Sequence, residues 1–331
     1  MASHGPLLQF ALLAGFVLSI SLSLLIAAAE HPLRRLLAGK PARQRARISW
    51  WMLVSPALAG LAQLLMTLAM PSLLHDSAGF AAACSAHSDR LWHFCVWHPS
   101  ESGQSAGLWA ALALVAAYAL WLAVRAACGL WRIRRTLATM LRLSWRPVPS
   151  DRFHVVEAEQ PLALACGIGR GHILLSSALL ERLDPTQLRV VLAHEQAHIG
   201  HRDVRYRLIA VLLSSLQLPG TRRRLLRDLA LAMEQRCDLA AAETLGSPIK
   251  VAETIIAVEK IFRHHAQRRT ALSLAFVSDF VPERIESLLS PDPPSLAYLG
   301  AALGFCALGF CILSSGWLHA TIESLIAMLT R

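Results

Sequence analysis

The stretch "VVLAHEQAHIGHRD" (residues 190–203) places His194, His198 and His201, with Glu195 between the first two, in a run rich in valine, leucine, alanine and isoleucine. Just upstream, Asp184 can cap a helix and Pro185 can start one, so the run is expected to be helical. Residues four apart on a helix project from one face about a turn apart, and the imidazoles of His194 and His198 can therefore grip a single Zn²⁺. Glu195 points elsewhere, but its carboxylate can reach a water held by that metal, which is what a general base requires.

A third ligand is offered by "LALAMEQRCDLAAAE" (residues 229–243), where Glu234 and Asp238 are again spaced by four on a second helix. Two histidines and one glutamate leave a fourth position open, the mark of a catalytic zinc site rather than a structural one. Asp238 suits the role of acceptor for the outer N–H of a ligand imidazole, fixing its tautomer. The alternative is a solvated helix face. Against it stands the alanine, leucine, methionine and cysteine around both acids, where an unpaired charge is costly. Cys237 is expected to pack rather than to ligate. His201 is either a donor to the reacting oxygen or, the plainer reading, a solvent-facing histidine.

Around this pair of helices the pattern changes. "FHVVEA", "LALACGI" and "GRGHILLSS" read as three short strands with a glycine-rich turn before the last, after which the chain turns helical. Residues 146–294 thus form a mainly helical α+β zinc-peptidase domain with a small β-sheet. Within it, "RYRLIAVLLSSLQLPG" (205–220) is too short to span a bilayer and is expected to be a buried helix or one at the membrane surface.

The rest of the chain is more apolar than a soluble domain allows: 55% of the 331 residues are hydrophobic and the mean hydropathy is +0.45. Four stretches are long enough to cross a bilayer, about 7–29, 51–74, 107–129 and 296–316. Four transmembrane helices give a membrane region (1–145) with an outer loop (75–106), and a last span with a short outer tail (295–331). Small residues near Ala27 to Ala29 could pass for a signal-peptide cleavage site. No Lys or Arg precedes Leu7, however, while Arg34, Arg35, Lys40, Arg43, Arg45 and Arg47 follow it, so the segment is expected to stay as an anchor. Arg132, Arg134, Arg135, Arg142 and Arg146 after the third stretch complete the orientation: both termini outside and the zinc domain cytoplasmic, at a bacterial inner membrane. These basic flanks account for most of the net charge of +10. They fit anionic lipid headgroups, and no direct nucleic-acid binding is expected.

Of the seven cysteines, Cys128, Cys166, Cys237, Cys306 and Cys311 fall where free thiols are expected. Cys84 and Cys95 lie in the outer loop and form either a disulfide or, with His87, His93 and His98, a metal-capturing sensor.

"HEQAHIGHRD" followed by "EQRCDLAAAE", preceded by "ACGIGRGHILLSSALLERL" and flanked by three spans before and one after, resembles the membrane zinc metallopeptidases of the BlaR/MecR antirepressor type. The resemblance implies a gluzincin fold, one Zn²⁺ per chain on His194, His198 and Glu234, Glu195 as base, and cleavage of a cytoplasmic DNA-binding repressor. It also implies that His172, Ile173, Leu174, Leu175 and Ser176 form an edge strand that binds extended substrate, the alternative being an interior strand. Those receptors carry a penicillin-binding sensor domain beyond their last span, and the sequence to Arg331 shows none, so β-lactam sensing is not expected. Three functions are therefore weighed: a regulatory protease that cleaves a repressor, a membrane quality-control protease, and a non-catalytic signal-transducing receptor, the last disfavoured by the intact metal set. The oligomeric state is not legible in the sequence.

Overall fold

The computed structural model describes residues 4–74, 106–146, 153–167, 169, 171–266 and 280–290. The outer loop with Cys84 and Cys95 and the fourth expected span lie outside these residues.

Three long helices come first: α1 (His4–Ala38), α2 (Ala42–Leu74) and α3 (Ala106–Leu143). Each contains a stretch long and apolar enough to cross a membrane, Ala11–Ala38, Ala42–Leu65 and Ala113–Leu143. α1 and α2 form a hairpin whose closest crossing is made by two glycines. A Cβ on Gly60 would lie 2.1 Å from Ser19 Oγ and 2.6 Å from the Gly15 carbonyl oxygen, so only hydrogen fits between the backbones. Small residues at a helix crossing are what apolar helices use when no hydrophobic gain is available between them. Ser19 completes the crossing by donating to the Pro56 carbonyl at 2.8 Å.

The three expected strands form: β1 (Phe153–Val156), β2 (Ala163–Cys166) and β3 (His172–Ser176). Their order is β1-β3-β2, with β3 parallel to β1 and antiparallel to β2. This corrects the expectation of an edge strand at His172 to Ser176. β3 is hydrogen-bonded on both sides and Ile173, Leu174 and Leu175 are buried, so the apolar run marks the middle of the sheet. The edge beside the later site is β2.

Ser176 caps a short helix, α4 (Ser177–Leu180). Asp184 then opens α5 (Pro185–Gly200) as expected, accepting from the Thr186 and Gln187 amides while Gln187 returns a bond to the Asp184 amide. Arg202 adopts φ 57°, which separates α5 from α6 (Asp203–Leu213). A 3₁₀ turn leads to α7 (Pro219–Leu245), and α8 (Pro248–Ala266) and α9 (Val281–Leu289) follow.

Three buried clusters touch the helices that carry His194, His198 and Glu234, one of them joining Val190, Ala241 and Ala242 to Val251, Ala252 and Ile255 of α8. Sheet residues Val155, Ile173 and Leu175 pack with Leu179 and Val191. On the other side Leu18, Leu22, Ile48, Leu53 and Val54 of the hairpin pack directly against Leu225, Leu229, Ala232 and Met233 of α7. The hairpin and the helix carrying Glu234 therefore share one core. The segment 205–220 takes the buried-helix alternative in part: Ala210 is sealed into that core, whereas Tyr206, Val211 and Leu212 are exposed.

Candidate metal centre

α5 and α7 bring His194, His198 and Glu234 together. The two Nε2 atoms are 3.1 Å apart, and the Glu234 carboxylate oxygens lie 3.5 Å from His194 Nε2 and 3.6 Å from His198 Nε2. Tetrahedral zinc with ligands at about 2.0–2.1 Å requires donor atoms roughly 3.3 Å from one another. The three separations bracket that value.

The far side of each imidazole supports the same reading. His194 Nδ1 is 2.9 Å from Asp238 Oδ1, and His198 Nδ1 is 2.8 Å from Asp203 Oδ2. A carboxylate on each Nδ1 holds the proton there and leaves both Nε2 lone pairs facing each other and Glu234. Such a convergence of lone pairs and negative charge calls for a cation. Burial pulls the His194 pKa down, but the hydrogen bond and charge of Asp238, with Glu234, outweigh it and push the value up to about 10. A bound metal would displace that proton. Burial works against ionisation of Glu234, and the His194 hydrogen bond and the Arg284 charge overcome it, keeping the carboxyl well below the usual range. The residues present therefore fit zinc.

Asp238 lies behind His194, and two further supports were not found in the sequence. Asp203, just after the quoted histidines, is buried, and Arg236 holds its other oxygen. Arg284 of α9 donates from Nε and Nη2 to the two oxygens of Asp238, both at 2.7 Å, and its Nη1 lies 3.3 Å from Glu234 Oε2. It neutralises the acids that would otherwise crowd the site.

Glu195 is buried beside the metal set, its Oε2 accepting from the Ala165 amide of β2 at 2.6 Å. Glu195 thus meets the β2 edge, which among the described residues pairs with no further strand. Burial and the charge of Glu195 push the neighbouring Cys166 thiol up to about 11, so it stays protonated. Cys237 is buried with its Sγ 3.3 Å from His198 Nδ1 and 3.4 Å from Asp203 Oδ2, behind His198. His201 is half-buried with Nδ1 towards Cys237 at 3.8 Å, and it does not line the cleft.

Above the site lies a cleft of about 1150 Å³. Leu162 to Cys166 form one wall, Ile133, Leu137 and Leu141 of α3 another, and Val251, Ile255 and Phe262 of α8 a third. The wall is mostly apolar, and it is broken by His194, Glu195, His198 and Glu234 and by charged residues that include Arg132, Arg207, Glu259 and Arg284.

Residues 131–272 match Peptidase family M48. Among similar proteins, a Protease HtpX homolog of Aquifex aeolicus is 42% identical over 69 residues, 20% of this chain and 23% of that protein. A Protease HtpX homolog of Acidiphilium cryptum is 26% identical over 243 residues, 58% of this chain and 85% of that protein. One of Helicobacter pylori strain Shi470 is 35% identical over 92 residues, 26% of this chain and 28% of that protein. The chain thus spans about a quarter of the Aquifex and Helicobacter relatives. No solved structure matches it. Together with the donor set described above, these matches support a metalloprotease domain beside helices of membrane-spanning length.

Proposed function

We propose that the chain is a zinc metalloendopeptidase of a bacterial inner membrane, holding one Zn²⁺ on His194, His198 and Glu234 and cleaving polypeptides on the cytoplasmic side. The observation that carries this reading is the pairing of a three-donor set with Glu195 at the edge of β2. A bound zinc would supply Lewis acidity towards a peptide carbonyl and a water of lowered pKa. Glu195, held by the Ala165 amide, takes the proton of the attacking water and delivers it to the leaving amine. The β2 edge offers backbone groups to an extended substrate, and recognition through the backbone makes selectivity loose. Asp238 and Asp203 keep both imidazoles oriented through the cycle.

The quality-control reading has more support than the antirepressor one. The similar proteins named above are called proteases of the HtpX kind, and an apolar cleft with a backbone-reading edge suits unfolded segments of many sequences better than one folded repressor. Cleavage of a DNA-binding repressor rests on the motif resemblance alone. Purified Glu195→Gln protein should retain about one zinc per chain and lose proteolysis, whereas His198→Ala and Glu234→Ala should lose the metal. A Glu234→Ala chain with full zinc and activity would overturn the ligand assignment. In cells, Glu195→Gln should stabilise a broad set of damaged membrane proteins, and a single stabilised DNA-binding protein would restore the repressor reading.

A further inference from the structure

We propose that Arg45, on the membrane hairpin, is a positioning residue for the metal site, acting through Gln235 and α9 on Glu234 and Asp238. The inference rests on the zinc reading above.

Three arginines open α2, and Arg43 and Arg47 are exposed while Arg45 is turned inward. Arg45 Nη2 donates to Gln235 Oε1. Its Nε is buried with no hydrogen-bond partner, a costly setting for a guanidinium unless the contacts it does make are held in place. Gln235 directly follows the ligand Glu234 and is itself 4% exposed. Its amide is engaged at both ends, because Nε2 donates to the Glu283 carbonyl at 2.7 Å. A guanidinium can only donate and a carbonyl can only accept, so the amide has a single orientation that satisfies both neighbours.

The contact continues to the metal set. Glu283 is followed by Arg284, whose guanidinium grips both oxygens of Asp238 and approaches Glu234. Asp238 in turn holds His194 Nδ1. One buried amide therefore pins three elements together, α2 from the membrane side, α7 with the third ligand, and α9 with the arginine that neutralises its acids. If Arg45 is removed, Gln235 keeps a buried carbonyl without a donor and loses the reason for its orientation. Glu283, and Arg284 with it, are then free to shift against α7. The membrane hairpin thus sets how firmly the site holds its metal, and a change in hairpin packing reaches the site without touching a ligand.

The test uses the full chain in detergent or nanodiscs and follows zinc release to a chelating indicator, together with the absorption spectrum of the Co²⁺-substituted protein. Arg45→Met and Gln235→Leu should each release zinc about tenfold faster than the parent and shift the cobalt bands, the lower end of what loss of supporting contacts costs a metal site. The double variant should be no faster than the faster single, since both changes break one connection. Leu53→Ala, which opens the same α2–α7 interface without touching the amide, should lower the melting temperature and leave release from the folded protein as in the parent. Parental release and spectra in Arg45→Met, multiplicative effects in the double variant, or equally fast release from Leu53→Ala would each overturn the proposal. Should Arg45→Met fail to accumulate, Gln235→Leu and Arg45→Lys decide by the same readouts. A parent chain that binds no zinc would sink the functional reading and this inference together, whereas a zinc-binding parent with unaltered variants sinks this inference alone.

Discussion

The membrane helices meet the peptidase domain in two different ways. The α1–α2 hairpin is fused to it: the two share a core with α7, and Arg224 donates twice to the buried Glu30 at 2.5 and 2.8 Å. Arg34 pairs with Asp228 at 2.7 Å, and Gln217 bridges Ser23 and the Met52 carbonyl. Among the described residues α3 makes nothing comparable. Leu114, Tyr118, Leu120, Trp121 and Val124 are exposed, and its end reaches the sheet through two backbone bonds between Trp145 and Val155 and a Ser144–His154 contact. The difference assigns separate tasks: the hairpin fixes the helix that carries Glu234, while α3 walls the cleft and leaves room for what enters it.

Two glycines put this contrast to its hardest test. Gly60 has no space for a Cβ, whereas a Cβ on Gly129 of α3 meets nothing within 4 Å. Gly60→Leu should therefore force α1 and α2 apart at a cost of roughly 3 kcal/mol or more. Gly129→Leu should change stability by less than about 1 kcal/mol, and in the favourable direction because leucine is the better helix former. Thermal unfolding of both in the same detergent gives the answer. Equal effects would mean that the two attachments do not differ.

A second comparison sits inside the site, between the supports of the two histidines. Asp203→Ala should weaken zinc binding by about tenfold to a hundredfold, as loss of a carboxylate behind a ligand imidazole does, with Asp238→Ala at least as damaging because the arginine it strands, Arg284, also approaches Glu234. Competition with a chelator of known affinity measures both. An Asp203→Ala protein with parental affinity would show that His198 needs no anchor.

Asp238 was legible in the sequence and Asp203 was not, for a geometric reason. Glu234 and Asp238 are four apart on one helix, so their shared face follows from the helical period. Asp203 follows His198 by five residues across a break, and the left-handed Arg202 turns it back beneath the imidazole. Periodicity carries no information about such a turn, although an acid so close to the histidines was a signal that could have been weighed. Arg284 was further out of reach: it sits 46 residues from Asp238 in the chain, in a short helix that arrives from a different direction. The strands were legible as strands, but their order was not, since a short apolar run looks the same at the middle of a sheet as at its edge. Likewise α1 and α2 are apolar on most sides, and composition alone cannot distinguish a face turned to lipid from one packed on α7.

The cleft wall provides a gentler test of the α3 assignment. Ile133 and Leu137 line the cleft and make no part of the metal set. Replacing either with Ser should remove on the order of 1 kcal/mol of apolar contact with a bound peptide, raising KM about fivefold on an apolar peptide substrate while kcat and zinc content hold. A fall in kcat with constant KM would instead place α3 in the chemistry.

The smallest expected effect concerns the junction of α3 with the sheet. His154 of β1 lies 3.1 Å from Ser144 Oγ and 3.3 Å from Arg146 Nη2, with the His172 ring of β3 5.5 Å away. Burial, then the charge of Arg146 and then that of His172, lower its pKa from the ordinary value near 6.5. A histidine with a lowered folded pKa takes its proton more readily in the unfolded chain, so it leaves stability unchanged at higher pH and subtracts from it as pH falls below about 6.5. The loss is complete once the folded value has been passed. His154→Asn keeps a partner for Ser144 without the titration, and its melting temperature should fall less steeply than that of the parent between pH 7 and pH 5. Because the described bonds between the end of α3 and the sheet all lie at this junction, it is where acid should first separate the cleft wall from the sheet, while the hairpin side keeps its contacts. Parallel melting curves for His154→Asn and the parent across that range would show that His154 does not weaken the junction.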